Sequence, residues 1–199
     1  MKRIVLLLAA VFVATLILTP NTVFSQENNY QLKPEKSKIE WLGKKVTGEH
    51  SGTIFMKQGN LTFDADQLLG GSFVVDMTTI VNTDIEDETY RAKLEGHLKS
   101  DDFFGVDKFQ ESKFKITSAE KLADGKFKVI GNLTIKGITE IAELMVNVHK
   151  HGKMLHVNGK MIIDRTKYNV RYGSGSFFDN LGDKTIYDEF QLDLDLNFE

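Results

Sequence analysis

From residue 39 onward the chain predicts an all-β domain: an antiparallel sheet closed into a barrel, with one helix inserted. Three observations carry that prediction. Apolar and polar side chains alternate with a period of two, which is the pattern of half-buried strands. The alternating runs are joined mostly by short turns, and short turns make neighbouring strands antiparallel. There is no cysteine, so a disulfide scaffold is excluded and a core must supply the stability.

The chain opens with MKR and an apolar run of 15 residues, Ile4 to Leu18, followed by TPNTVFS. That layout predicts a secretory signal peptide, residues 1–25, with cleavage after Ser25. The run is shorter than the ~20 residues of a spanning helix, so no stable membrane anchor is expected. Without cysteine the chain carries no lipoprotein acceptor, and a periplasmic location is expected. Removing 25 residues leaves 174, enough for one core, and residues 26–199 read as one domain.

The strands follow in order. Ile39 and Trp41 alternate first, then Ile54 and Met56, then Leu61 and Phe63, then Phe73, Val75 and Met77. Phe114 and Ile116 begin the next. Phe127 to Ile135 and Leu144 to Val148 each alternate cleanly, as does Leu155 to Ile163. The last, Phe190 to Phe198, sets five apolar residues against Gln191, Asp193, Asp195 and Asn197. This makes eight or nine segments. About eight strands close a barrel that can hold one small ligand. A two-sheet sandwich satisfies the same alternation. Gly131 and Gly159 interrupt strand patterns, as a bulge does or a close approach to the backbone.

One segment breaks the alternation. Glu86–Ser100 places Tyr90, Leu94, His97 and Leu98 at helical spacing, with acids early and lysine late, and predicts the inserted helix. The stretch after it, SDDFFGVDKFQESKF, clusters phenylalanines among charges.

Charge excludes some partners. Loss of Lys2 and Arg3 with the leader takes the net charge from −3 to −5. A mildly acidic chain without a basic block is a poor nucleic-acid binder.

RAKLEGHLKSDDFFGVDKFQESKFKI, GNLTIKGIT and MIIDRTKYNV occur in this order, Arg91 to Ile116, Gly131 to Thr139 and Met161 to Val170. Together they resemble the three signatures of the YceI-like family, and the resemblance spans nearly all of residues 30–199. Two departures are Gln110, where many members have proline, and Asn169, where glycine is common. The resemblance implies a lipocalin-like antiparallel eight-stranded barrel. It also implies an exported protein that binds a long isoprenoid or quinone-like lipid, non-covalently, inside the barrel.

On that reading the inward residues become the candidate lining. The first strands supply Ile54, Met56, Leu61, Phe63, Phe73, Val75 and Met77. Later ones supply Phe114, Ile116, Leu133, Ile135, Leu144 and Met161. Phe103 and Phe104 would face the cavity or plug its mouth, or else simply cap the core. Each buried methylene contributes ~0.8 kcal/mol, so about ten give roughly micromolar binding without any headgroup contact.

Arg91, His97 and Arg165 are the polar residues within the motifs. They would meet a lipid head or, as the preferred reading, serve structure, with Arg165 paired to Asp101 or Asp102. His149, His151 and His156 sit near one hairpin in the outward phase, so no metal site is expected. No nucleophile elbow, HExxH or P-loop occurs, and neither catalysis nor a cofactor is expected. The runner-up is a stress-related or partner-binding protein with a side-chain-filled barrel and a working patch at Phe177 and Phe178. The sequence leaves the oligomeric state open, a homodimer included.

Overall fold

The computed structural model describes residues 27–199; the expected signal segment lies outside the described residues. The strands are β1 (Glu27–Gln31), β2 (Lys38–Lys45), β3 (Gly48–Asp64), β4 (Gln67–Asn82), β5 (Glu111–Ala123), β6 (Lys126–Ile135), β7 (Ile138–His151), β8 (Met154–Asp164) and β9 (Ile186–Phe198). One helix, α1 (Glu88–Lys99), lies between β4 and β5. Antiparallel pairing runs β3–β2–β9–β8–β7–β6–β5–β4, and β4 returns to β3, so the sheet is a closed barrel rather than a sandwich. β1 lies on the same edge of β3 as β2, with Tyr30 opposite Leu61, while Ile39 of β2 is opposite Ile54. β1 and β2 are therefore one stave broken in the middle. Pro34 opens the short 3-10 turn at the break, where a fixed φ and a missing N–H suit a turn better than a ladder. The barrel has eight staves.

Two predicted segments, at Ile54–Met56 and Leu61–Phe63, prove to be one strand, β3. The spacing from Met56 to Leu61 is odd, so plain alternation would turn Leu61 outward. A shift in the β3–β4 register between Met56 and Gln58 restores the inward phase.

Helix α1 is shorter than predicted by two residues at its start and one at its end. Asp87 caps it by accepting from the Tyr90 N–H at 3.0 Å. Glu88 stands in the first turn and His97 and Lys99 in the last, matching the helix dipole. None of its residues is fully buried, and Tyr90 is 67% exposed. Only its C-terminal end, through Leu98, packs against the core.

Candidate functional site

The barrel has two unlike ends. At the lower end β3–β4, β5–β6 and β7–β8 are joined by two-residue turns. The floor there is built of strand-borne rings. Phe63 meets Tyr30 and Phe127 edge-on, each at 6.0 Å, and Phe198 meets Phe73 edge-on at 6.2 Å. Edge-to-face packing of this kind adds to burial. Beneath it a depression of about 280 Å³, edged by Asp66, Lys121, Asp124 and Lys150, faces outward.

At the upper end the long connections 83–110 and 165–185 cross the opening. Phe103 is buried and Phe104 half-buried. Their rings tilt together at 6.4 Å, and Phe104 meets Phe190 at 6.1 Å. The loop is folded on itself by Gly105 N–H to Ser100 O at 2.8 Å and Val106 N–H to Lys99 O at 2.8 Å. Gly105 holds φ +58°, a conformation glycine adopts without penalty. Lys136 Nζ donates to the Asp101 carbonyl at 2.6 Å, and burial lowers its pKa despite the nearby acids. Lys108 donates to the Asp101 carboxylate at 2.6 Å and holds it below the ordinary carboxylate range.

Between roof and floor the barrel is hollow. An upper chamber of about 150 Å³ and a lower one of about 100 Å³ share Ile39, Val75, Leu133 and Leu192 as a waist. Side chains on this wall are inward yet only half-buried, as Leu192 and Leu194 are, whereas Leu196 and Phe198 below them are buried. The upper chamber extends to the bulge between β2 and β9. There Gly43 pairs with Phe190 and Lys45 with Ile186, so Lys44 alone faces the bulged residues 187–189. Gly43, Lys44, Tyr187 and Glu189 stand on the chamber wall at this bulge.

The predicted lining divides between the chambers. Ile54, Val75, Met77, Phe103, Phe104, Leu133 and Ile135 line the upper one. Met56, Leu61, Phe73, Phe114, Ile116, Leu144 and Met161 line the lower one, with Val75 and Leu133 common to both. Phe63 does not touch either chamber; it is part of the floor and the underside depression. The predicted set lacks Trp41, Leu98, Phe190 and Leu192, which also line the upper chamber. Trp41 and the two β9 residues carry the same alternation and are legible in the sequence. Leu98 is not, because a helix end tells nothing about which barrel it roofs.

Rings explain several glycines. A Cβ at Gly131 would stand 2.5 Å from the Phe114 ring, and one at Gly59 2.7 Å from the Phe73 ring. A Cβ at Gly52 would collide first with the Val81 carbonyl oxygen and then with the Trp41 ring, at 2.6 Å. At Gly131 the interruption of the strand pattern is thus a close approach, by the Phe114 ring and by the Lys115 carbonyl. Gly159 is similar, since a Cβ there would stand 2.7 Å from the Met145 carbonyl oxygen.

The polar candidates do not converge on the cavity. Arg91 donates to the Ile85 carbonyl at 3.2 Å and lies 3.7 Å from Glu88. His97 packs edge-on to Phe103 at 4.9 Å and to Tyr172 at 4.4 Å, behind the roof. Arg165 is 4% exposed and reaches the upper chamber wall. Its guanidinium donates to the carbonyls of Val170, Ile186 and Tyr187 at 2.8–3.1 Å and stands 3.5 Å from Asp188. The expected pairing with Asp101 or Asp102 is therefore wrong. Those acids lie on the roof loop beside Lys108 and His97, whereas Arg165 is drawn to carbonyls at the β9 bulge. Burial pushes the Arg165 pKa down, with Asp188 and Asp164 opposing. Burial by itself would raise Asp188, but hydroxyls of Ser174 and Ser176 and the Arg165 charge outweigh it, and its pKa falls. Burial also pushes the Tyr168 phenol up to about 12.

His149 and His156 face each other across β7–β8 with rings 6.0 Å apart, and His156 Nε2 lies 2.7 Å from Asp195. Among the described residues no three acids or histidines converge as a metal cluster. No described helix is long and apolar enough to cross a membrane.

Comparison with known proteins fits this architecture. A UPF0312 protein of Yersinia enterocolitica is 34% identical over 82 residues, covering 41% of this chain and 40% of that protein. One from Vibrio parahaemolyticus is 31% identical over 93 residues, 46% of this chain and 49% of the relative. The chain thus spans less than half the length of the curated relatives it matches. Among solved structures, Burkholderia cenocepacia BcnA superposes with a TM-score of 0.65 at 22% identity, covering 83% of this chain and 98% of its own. A polyisoprenoid binding domain from Saccharophagus degradans gives 0.61 at 16% identity, covering 85% and 97%. These likenesses support the barrel. The YceI-like domain model matches residues 30–198, motifs, roof loop and all eight staves included, and the chain belongs to that family.

Proposed function

We propose that this protein is a periplasmic carrier or store that binds a long-chain isoprenoid or quinone-like lipid non-covalently within the barrel. The observation that carries the reading is the pair of apolar chambers joined at a waist, roofed by Phe103 and Phe104. Apolar burial supplies the affinity, and no headgroup contact is needed. The two buried polar side chains of the upper chamber are already engaged, Ser112 with Met77 Sδ and Arg165 with carbonyls. That favours binding over catalysis. Family membership supports the same reading, as does the fold shared with the Saccharophagus polyisoprenoid binding domain.

The test is mass spectrometry of an organic extract of the protein purified from the periplasm. A prenyl lipid at near-stoichiometric amount supports the carrier. An empty extract, with no rise in melting temperature on adding prenyl lipids, overturns it, because a ligand bound only by the folded state must stabilise it. Recovery of the protein only in the cytoplasm or membrane sinks the periplasmic assignment. A partner-binding reading rests on a separate patch, where Phe177 is 42% and Phe178 51% exposed.

A further inference from the structure

The outer face of the β7–β8 hairpin, at the lower end of the barrel, carries a set of metal-binding side chains. His149 and His156 are direct partners across the two strands, and His151 and Met154 are the next pair toward the turn. Val148, Leu155 and Val157 are buried in the interior, so the alternate residues His149, His151, Met154 and His156 share the outward face. Met154 is 54% exposed, which leaves a thioether in water at no gain to the core. We infer that this face is a copper(I) site, with His149 and His156 ligating through imidazole nitrogen and Met154 through its sulfur. It lies outside the cavity and does not depend on the lipid-binding reading.

Geometry carries the assignment. The two rings lie 24° from parallel with centres 6.0 Å apart. With metal–nitrogen bonds of about 2 Å, two imidazoles on one ion hold their centres ~5–6 Å apart. His156 is already oriented: its Nε2 lies 2.7 Å from Asp195 Oδ1, so Nδ1 is the nitrogen left for a metal. A carboxylate behind a ligating histidine fixes the tautomer and makes the ligand more basic. His149 is exposed, so its ring turns freely to meet the same ion. Met154 is diagonal to His149 and two residues from His156, a separation that a long side chain spans. The donor set then selects the ion. Zinc takes four ligands in a closed site, and among the described residues no three acids or histidines converge to begin one. Copper(I) accepts fewer ligands, and a thioether favours it.

The experiment is anaerobic titration of the purified protein with copper(I) in competition with the chromogenic chelator bicinchoninate. Near-stoichiometric copper is expected to be withheld from the chelator. If none is withheld, the inference fails. His156→Asn should weaken binding about tenfold or more. A smaller change would mean adventitious binding elsewhere on the surface and overturns the site. Met154→Leu gives the second arm, since it keeps the size of an exposed side chain and removes only the sulfur. Its fold is checked by its melting transition, and its copper(I) affinity should also fall about tenfold or more. Unchanged affinity in that variant, or zinc(II) bound as tightly as copper(I) by the parent protein, overturns the choice of ion.

Discussion

The floor and the roof of the barrel are both closed by phenylalanines, but the rings are carried differently. Floor rings project from strands, and Tyr30, Phe63, Phe127 and Phe198 are between 1% and 7% exposed. Each belongs to a ladder, so moving one means breaking sheet. Roof rings Phe103 and Phe104 project from a loop. The ties of that loop include the exposed Lys108–Asp101 pair and Lys136 bonded to a carbonyl. Exposed pairs contribute little and are screened by salt. Opening free energy is therefore expected to differ between the two ends, with the roof the easier to open. One residue type is thus carried by sheet at one end and by a loop at the other.

The sharpest way to break this comparison is at the floor. Phe127→Ala should cost about 3–5 kcal/mol, by lost burial plus a cavity beside Phe63. Urea unfolding measures it. A loss under ~1 kcal/mol would mean that the floor is not the stabilising end.

Next comes the clasp that joins the roof to β9. Asp188→Asn removes the charge partner of the buried Arg165 and should cost about 2 kcal/mol near neutral pH. The pH dependence has a definite sign. The folded Asp188 pKa lies below its ordinary value, so its contribution is complete above about pH 4 and is lost as pH falls through the folded pKa. The variant should accordingly match the parent protein more closely at a pH below the folded pKa than at pH 7. Equal differences at both pH values would show that Asp188 acts through hydrogen bonds alone.

The smallest stability effect is expected at the roof. Phe104→Ala should cost about 1 kcal/mol, since the ring is only half-buried. Its larger effect is kinetic: release of a bound prenyl chain should speed up several-fold, read by stopped-flow displacement. A change in stability as large as at Phe127, with unchanged release, would make the roof ordinary core.

Much of this architecture is legible in the sequence. Alternation locates the inward residues of β6 to β9 because those strands keep a strict period of two over their core-facing lengths. It fails at β3, where the bulge after Met56 hides the continuity of one long strand. It also misses β1, whose five residues offer too few apolar positions to register. The helix is visible from its spacing, but that spacing counts Tyr90 as packed when it is exposed, since an exposed helix carries the same periodicity on either face. Asn169 departs from a common glycine and adopts φ +58°, a left-handed conformation that asparagine tolerates better than most residues. Arg165 stands out in the sequence, yet its partner does not, because Asp188 lies on another strand and the carbonyls it binds have no signature.

By itself, then, the sequence determined the fold class, the inward face of most strands and the ring-rich roof. These follow from local properties: the period of a strand, the spacing of a helix and the chemistry of turns. Only the tertiary structure decided that the sheet closes, that Phe63 belongs to the floor and that Arg165 serves β9. It alone revealed that Gly59 and Gly131 exist to seat Phe73 and Phe114. Those facts depend on which residues meet across the barrel. Register and bulges settle that, and they are properties of strand pairs rather than of any one strand.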